Sequence, residues 1–210
     1  MLGSFGSEYS NWARAKQLIQ EKTRCPASRP PRHRTGPRKK SQPLLAAVQK
    51  ATRHRAEPFF RIVANSPAAL EGYLGLSGAL GKGALAAKTR ERIALAIAEV
   101  NDCGYCLSAH TYIARNLAKL DDAEITANRS GASNDVKADA AVRFAVKLAR
   151  GRGQASDTDI AALKQSGYSD AEIVEIIAHV ALNTFTNYVN EALKTEIDFP
   201  VVTVRTAAAT

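Results

Sequence analysis

From about residue 56 onward the chain is punctuated by helix stops and starts and by little else, which leaves few architectures open. Asn65-Ser66-Pro67 ends one apolar segment and opens the next, with Ser66 as N-cap and Pro67 at the first helical residue. Pro58 opens the segment before it, ahead of Phe59, Phe60, Ile62 and Val63. Leu70, Tyr73, Leu74, Leu76 and Leu80 line one side of the following helix, which Gly81-Lys82-Gly83 breaks. The spacing of Leu85, Ile93, Ile97 and Val100 predicts an amphipathic helix from Ala84 to about Val100. Asn101-Asp102 then interrupts and offers a cap for a helix from Cys103 to about Lys119.

A short helix begins at Leu120-Asp121-Asp122 and ends near Gly131. Asn134 caps a longer one from Asp135 to Arg150, closed by Gly151-Arg152-Gly153 after a basic last turn. A brief helix opens at Asp157 or Thr158 and closes at Gly167. Ser169-Asp170-Ala171-Glu172 is a capping box ahead of a long helix from Asp170 to about Glu196. Val201-Val202-Thr203-Val204 has the composition of an edge strand, but no partner strand is evident. The expected class is all-α. There is no repeat of solenoid period, and no GxGxxG, P-loop, GxSxG or HExxH.

Charge is distributed unevenly. Residues 1–55 hold 13 Lys and Arg against Glu8 and Glu21, a net of +11, while the rest of the chain carries a net of −2. The basic character therefore belongs to a segment mixing proline with arginine, and residues 1–55 are read as a disordered extension of a helical domain, 56–210. A basic arm for nucleic acid, an organellar transit peptide or a dispensable tail each fit its composition. Cys25 and His33 fall there and are recruited to no site. No apolar run reaches the ~18 residues that span a bilayer. The absence of an apolar signal region, with only three cysteines, points to a reducing cytoplasm.

The chemistry concentrates in Cys103-Gly104-Tyr105-Cys106-Leu107-Ser108-Ala109-His110. Helical geometry stacks the two cysteines and His110 along one face, a turn apart. A thiolate is the reactive form of cysteine, and a helix N-terminus, a second thiol and an imidazole all favour it. Zinc would need a fourth ligand, and a thioredoxin-type site would need a strand before the CxxC. Neither context is present. Two arguments about the thiols pull apart. Cys103, in the first turn, gains most from the helix dipole. Cys106 lies four residues before His110, the spacing at which helical side chains meet. The reading adopted is Cys106, activated by His110.

Glu91 and Glu99 compete for the base. Glu99 is nearer in sequence, whereas Glu91 faces the thiols only if the chain folds back at Asn101-Asp102. His179, among Ile176, Ile177, Val180 and Leu182, reads first as a core or interface histidine with one hydrogen bond. Asn183 and Asn187 form a polar stripe that satisfies backbone groups or lines a pocket. Tyr105 reads as packing or pocket wall.

The segment Thr89-Arg90-Glu91-Arg92, Glu99-Val100-Asn101-Asp102 and the following CxxC with His110 resembles the signature of the AhpD-like superfamily, which includes alkylhydroperoxidase D proteins and carboxymuconolactone decarboxylases. The resemblance extends over most of residues 56–210, including His179-Val180-Ala181-Leu182-Asn183 and Thr195-Glu196-Ile197-Asp198-Phe199-Pro200. It implies an all-helical fold, a trimer or higher oligomer, and reduction of a hydroperoxide to an alcohol with formation of a disulfide. It implies Cys106 as the attacking thiol, Cys103 as the resolving one, and His110 with Glu91 as a proton relay. Glu99, Tyr105, His179 and Asn183 are candidate supporting residues from their positions in the sequence, not from the resemblance. Family alkylhydroperoxidases often carry a histidine between the cysteines, where this chain has Gly104 and Tyr105.

The function expected is a thiol-dependent peroxidase or disulfide oxidoreductase. It needs no metal or organic cofactor, because the dithiol carries the electrons. Its partners are a hydroperoxide or small disulfide, a dithiol reductant and further copies of itself, with neither a membrane nor nucleic acid expected. The alternatives are a decarboxylase of a small lactone acid, which needs no CxxC, and nucleic-acid binding through residues 1–55.

Overall fold

The computed structural model describes residues 39–52 and 58–205. Among them are nine α-helices and no strand: α1 (Gln42–Thr52), after a 3-10 turn at Lys39–Ser41; α2 (Pro58–Val63); α3 (Pro67–Leu80); α4 (Ala87–Val100); α5 (Gly104–Asn116); α6 (Asp122–Arg129); α7 (Val136–Arg150); α8 (Asp157–Gln165); and α9 (Asp170–Ala192). The all-α class is as expected. No helix among the described residues is long and apolar enough to cross a membrane.

Helix α4 is the hub, packing against α5, α6, α7 and α9. Six consecutive residues, Ile93 to Ala98, are buried, so the helix is covered on every side over nearly two turns. Its faces are divided by helical spacing. Leu95 and Ala98 join the core with Phe60, Leu70, Leu107 and Phe199. Ile93 and Ile97, four apart, enter a second core with Phe144, Leu163 and Ile176. Ala96 meets Val142 and Val146 of α7. Arg92, also buried on α4, is held by Glu124 of α6 at 2.7 Å. Burial alone would raise the Glu124 carboxyl. Hydrogen bonds from Ser133, Asn128, the Asn134 backbone and Arg92 outweigh it and hold the group down at about 2.

The helix starts follow local chemistry. Ser66 accepts from the Ala69 N–H, and Ser156 and Ser169 close complete capping boxes with Asp159 and Glu172. Four boundaries differ from expectation, one of them the end of α5, which stops at Asn116 rather than near Lys119. α4 begins at Ala87 rather than Ala84, because the Ala84 and Leu85 N–H groups donate to the Glu175 carboxylate, 91 and 90 residues away, instead of entering a helix. Asp135, not Asn134, caps α7, its side chain accepting the Ala138 N–H, while the Asn134 N–H donates to Glu124. α9 stops at Ala192, after which Lys194 adopts a left-handed φ of 49°.

The extension also needs correction. Residues 39–52 are not an unstructured arm: they form the 3-10 turn and α1, with Leu45 and Val48 buried in the first core and the Ser41 hydroxyl donating to Ala64 C=O. Pro43-Leu44-Leu45-Ala46-Ala47-Val48 is an apolar stretch that a charge count over 1–55 averages away. The other residues of 1–55, with Cys25 and His33, lie outside the described residues.

The tail pairs with no strand. It lies against α5, where the Val202 N–H donates to Ser108 Oγ and Phe199 packs edge-on against Tyr105.

Candidate active site

The site is built at the corner between α4 and α5. Asp102 turns the chain with φ 51°, a left-handed conformation that a short polar residue tolerates. Cys103 then caps α5, its sulfur accepting the Cys106 N–H at 3.3 Å. Two side chains of α9 clamp this corner from outside. Asn187 Oδ1 accepts from Asn101 at 2.9 Å, and Glu191 Oε1 accepts from the Gly104 N–H at 3.2 Å. Both cysteines are buried and free.

One turn into α5, the Cys106 sulfur accepts a hydrogen bond from Asn190 Nδ2 at 3.2 Å. A turn further, His110 Nδ1 lies 2.9 Å from Glu91 Oε2. Glu91 reaches it because α4 and α5 form an antiparallel pair around the Asp102 turn. Glu99 is drawn elsewhere. It pairs with Arg129 at 2.7 Å and accepts the Arg205 N–H, so it anchors the tail rather than facing the thiols.

The two thiols are electrostatically unequal. Burial pushes Cys106 up, but the hydrogen bond from the Cys103 thiol, the charge of His110 and the amides of Asn190 and Asn187 bring it down to about 7. Cys103 moves far upward, first because its proton is held in the bond to Cys106, then because it is buried. The dipole argument for Cys103 loses to that shared proton. Burial lowers His110, yet the charge and hydrogen bond of Glu91, with the charge of Cys106, give a net rise, so the imidazolium is favoured beside the sulfur.

Cys106, His110 and Glu91 open onto a cavity of about 420 Å³. Its apolar wall includes Phe59, Phe60, Tyr73, Ala94 and Ile113, and its α9 wall includes His179, Asn183 and Asn190. Tyr105 also lines it. Asn183 uses its amide on the His179 carbonyl at 2.8 Å. No cluster of three or more His, Cys, Asp or Glu side chains suited to a metal ion occurs among the described residues.

Sequence reasoning missed Asn190 and Glu191. The signal was present, since Asn190 continues the Asn183–Asn187 stripe at helical spacing. Nothing local, however, ties α9 to a sulfur 84 positions earlier. Phe59 and Phe60, which the sequence shows only as apolar residues after Pro58, belong to both the core and the cavity wall.

Residues 67–150 match the model of the carboxymuconolactone decarboxylase family. A comparison with curated proteins finds no match. Among solved structures, an uncharacterized peroxidase-related protein from Silicibacter sp. TM1040 aligns at 22% identity and TM-score 0.67, over 83% of this chain and 93% of that one. A second uncharacterized peroxidase-related protein, from Ralstonia eutropha JMP134 and described as an alkylhydroperoxidase AhpD core, aligns at 20% identity and TM-score 0.70, over 81% and 94%. A Cys-to-Ala variant of the debrominase Bmp8, in complex with 2,3,4-tribromopyrrole, aligns at 18% identity and TM-score 0.60, over 79% and 92%. At these identities the structures speak for the fold alone. The match to the carboxymuconolactone decarboxylase family model spans Glu91, both cysteines of the CxxC and His110, and the solved structures share the all-helical fold.

Proposed function

We propose that this protein reduces organic hydroperoxides with its paired thiols. The observation that carries the reading is the asymmetry at the cavity floor. One thiol, Cys106, is drawn down to about 7 beside an imidazole with a carboxylate behind it, while the second, Cys103, holds its proton next to it. A lone nucleophile or a lactone decarboxylase has no use for that second thiol.

The chemistry balances without a further group at the site. His110 takes the Cys106 proton, helped by Glu91. The Cys106 thiolate attacks the terminal oxygen of the hydroperoxide, an S–O bond forms and the O–O bond breaks. Sulfur gives up two electrons, and the departing alkoxide takes the proton from His110 to leave as an alcohol. The Cys106 sulfenic acid then condenses with the Cys103 thiol, releasing water and forming the disulfide. A dithiol reductant restores both thiols by exchange.

In this reading the protein acts as a homo-oligomer. Support comes from an exposed apolar stripe on α9, where Val174, Ile177, Phe185 and Tyr188 are 64, 44, 37 and 62% exposed.

The test is thiol titration before and after one equivalent of cumene hydroperoxide. Wild type is expected to lose two thiols rapidly, Cys106→Ser to be inert, and Cys103→Ser to stop at a sulfenic acid. Inert wild-type thiols would sink the reading. Ready exchange with a small disulfide but no reaction with peroxide would leave a dithiol oxidoreductase.

A further inference from the structure

The cavity that ends at Cys106 is long. Its α9 wall is formed by His179, Leu182, Asn183, Thr186 and Asn190, spaced by three or four so that they make one stripe along the helix. Asn190 touches the Cys106 sulfur at one end. His179 lies eleven residues earlier, which at 1.5 Å per residue is about 16 Å along the axis. A cavity of about 420 Å³ lined over that length has room for an extended ligand. Hydrogen peroxide would leave nearly all of it unfilled.

The far end is polar. His179 is 6% exposed, and its Nε2 is buried with no hydrogen-bond partner among the described residues. Charged groups surround it, but each has other work. Glu175 holds the Ala84 and Leu85 N–H groups, Glu91 holds His110, and Arg90 donates to Leu85 C=O. Burial, then the charge of Arg90, pulls the His179 imidazole down to about 4, so the ring is neutral near pH 7. A neutral, unpaired ring nitrogen suits a hydroxyl or similar group better than an ion.

We propose that His179 is a specificity-determining residue, and that the cavity takes an elongated, largely apolar hydroperoxide whose far end carries an uncharged hydrogen-bonding group. That group pairs with His179 Nε2 while the hydroperoxide meets Cys106. The inference rests on the reading of Cys106 as the attacking thiol.

The experiment compares kcat/KM for dodecyl hydroperoxide and ω-hydroxydodecyl hydroperoxide in wild type, His179→Leu and His179→Gln, with tert-butyl hydroperoxide as a short reference. Wild type is expected to prefer the ω-hydroxy substrate about tenfold, mostly through KM, as one satisfied buried hydrogen bond warrants. The preference should collapse toward one in His179→Leu and partly survive in His179→Gln. An indifferent wild type overturns the proposal. So does an equal loss on all substrates in His179→Leu, which would mark a structural histidine. An ω-carboxy analogue preferred over the ω-hydroxy one overturns it too, in favour of Arg90. If wild type reduces none of the hydroperoxides, the peroxidase reading fails, and calorimetry of dodecanediol with Cys106→Ser decides this inference separately. Saturable binding that His179→Leu loses upholds the cavity assignment, and no binding to Cys106→Ser rejects it.

Discussion

At the scale of single residues, the distinction that matters is between two cysteines of identical chemistry placed three positions apart. Cys106 sits under Asn190 and beside His110, whereas Cys103 gives its proton to the bond between them. Alkylation of Cys106 by iodoacetamide should therefore rise with pH through a midpoint near 7, below which the thiol is protonated and slow. Glu91→Gln removes the charge that raises His110. The imidazolium is then weaker, the Cys106 midpoint moves up toward the ordinary thiol range, and kcat/KM for cumene hydroperoxide falls by roughly 10²–10⁴ if the relay works as a general acid and base. A rate profile in Glu91→Gln matching wild type would remove Glu91 from the relay. The spacing that brings Cys106 and His110 onto one face was legible in the sequence, because i and i+4 meet on any helix. The choice of Glu91 over Glu99 was not. It depends on the direction taken after the Asp102 turn and on Arg129 claiming Glu99.

At the scale of elements, the positioning of α4 depends on a contact that no helix rule contains. The Glu175 carboxylate on α9 receives two backbone N–H groups from the loop before α4. Gly83 leaves the room for it, since a Cβ there would stand 2.5 Å from Glu175 Oε2. Gly83→Ala should displace the carboxylate and destabilise the fold by about 1–3 kcal/mol, the cost of stranding the part-buried Leu85 N–H, the Ala84 N–H being exposed to water. Glu175→Ala should cost a similar amount, and the double variant little more than either, because both remove one interaction. Additive losses in urea denaturation would show that the two positions act separately. The capping boxes at Ser156 and Ser169 and the break at Gly81 were readable because caps and breaks are local. The three-residue delay in α4 was not readable, since its cause is 90 residues away.

At the scale of the whole molecule, α9 has two faces with different tasks. The inner face carries His179, Asn183, Asn187 and Asn190, and the outer face exposes Val174, Ile177 and Tyr188. In the homo-oligomer proposed above, Ile177→Asp paired with Tyr188→Glu should lower the mass seen by sedimentation to that of a single chain while far-UV circular dichroism stays helical. An unchanged mass would move the interface elsewhere. The charge count over 1–55 misled at this scale for a plain reason. Charge averages over a segment, but burial is decided residue by residue, and Leu45 and Val48 are buried.

The sequence by itself determined the helical class, most helix starts and the alignment of Cys103, Cys106 and His110, because each depends on neighbours within one or two turns. Tertiary structure alone decided which thiol gives up its proton more readily, which glutamate stands behind His110 and how far the cavity runs. Those properties come from Asn190 84 residues beyond Cys106, from Glu91 19 residues before His110, and from the reach of α9 past both. Desolvation and charge act through space, so only the folded chain brings their sources together.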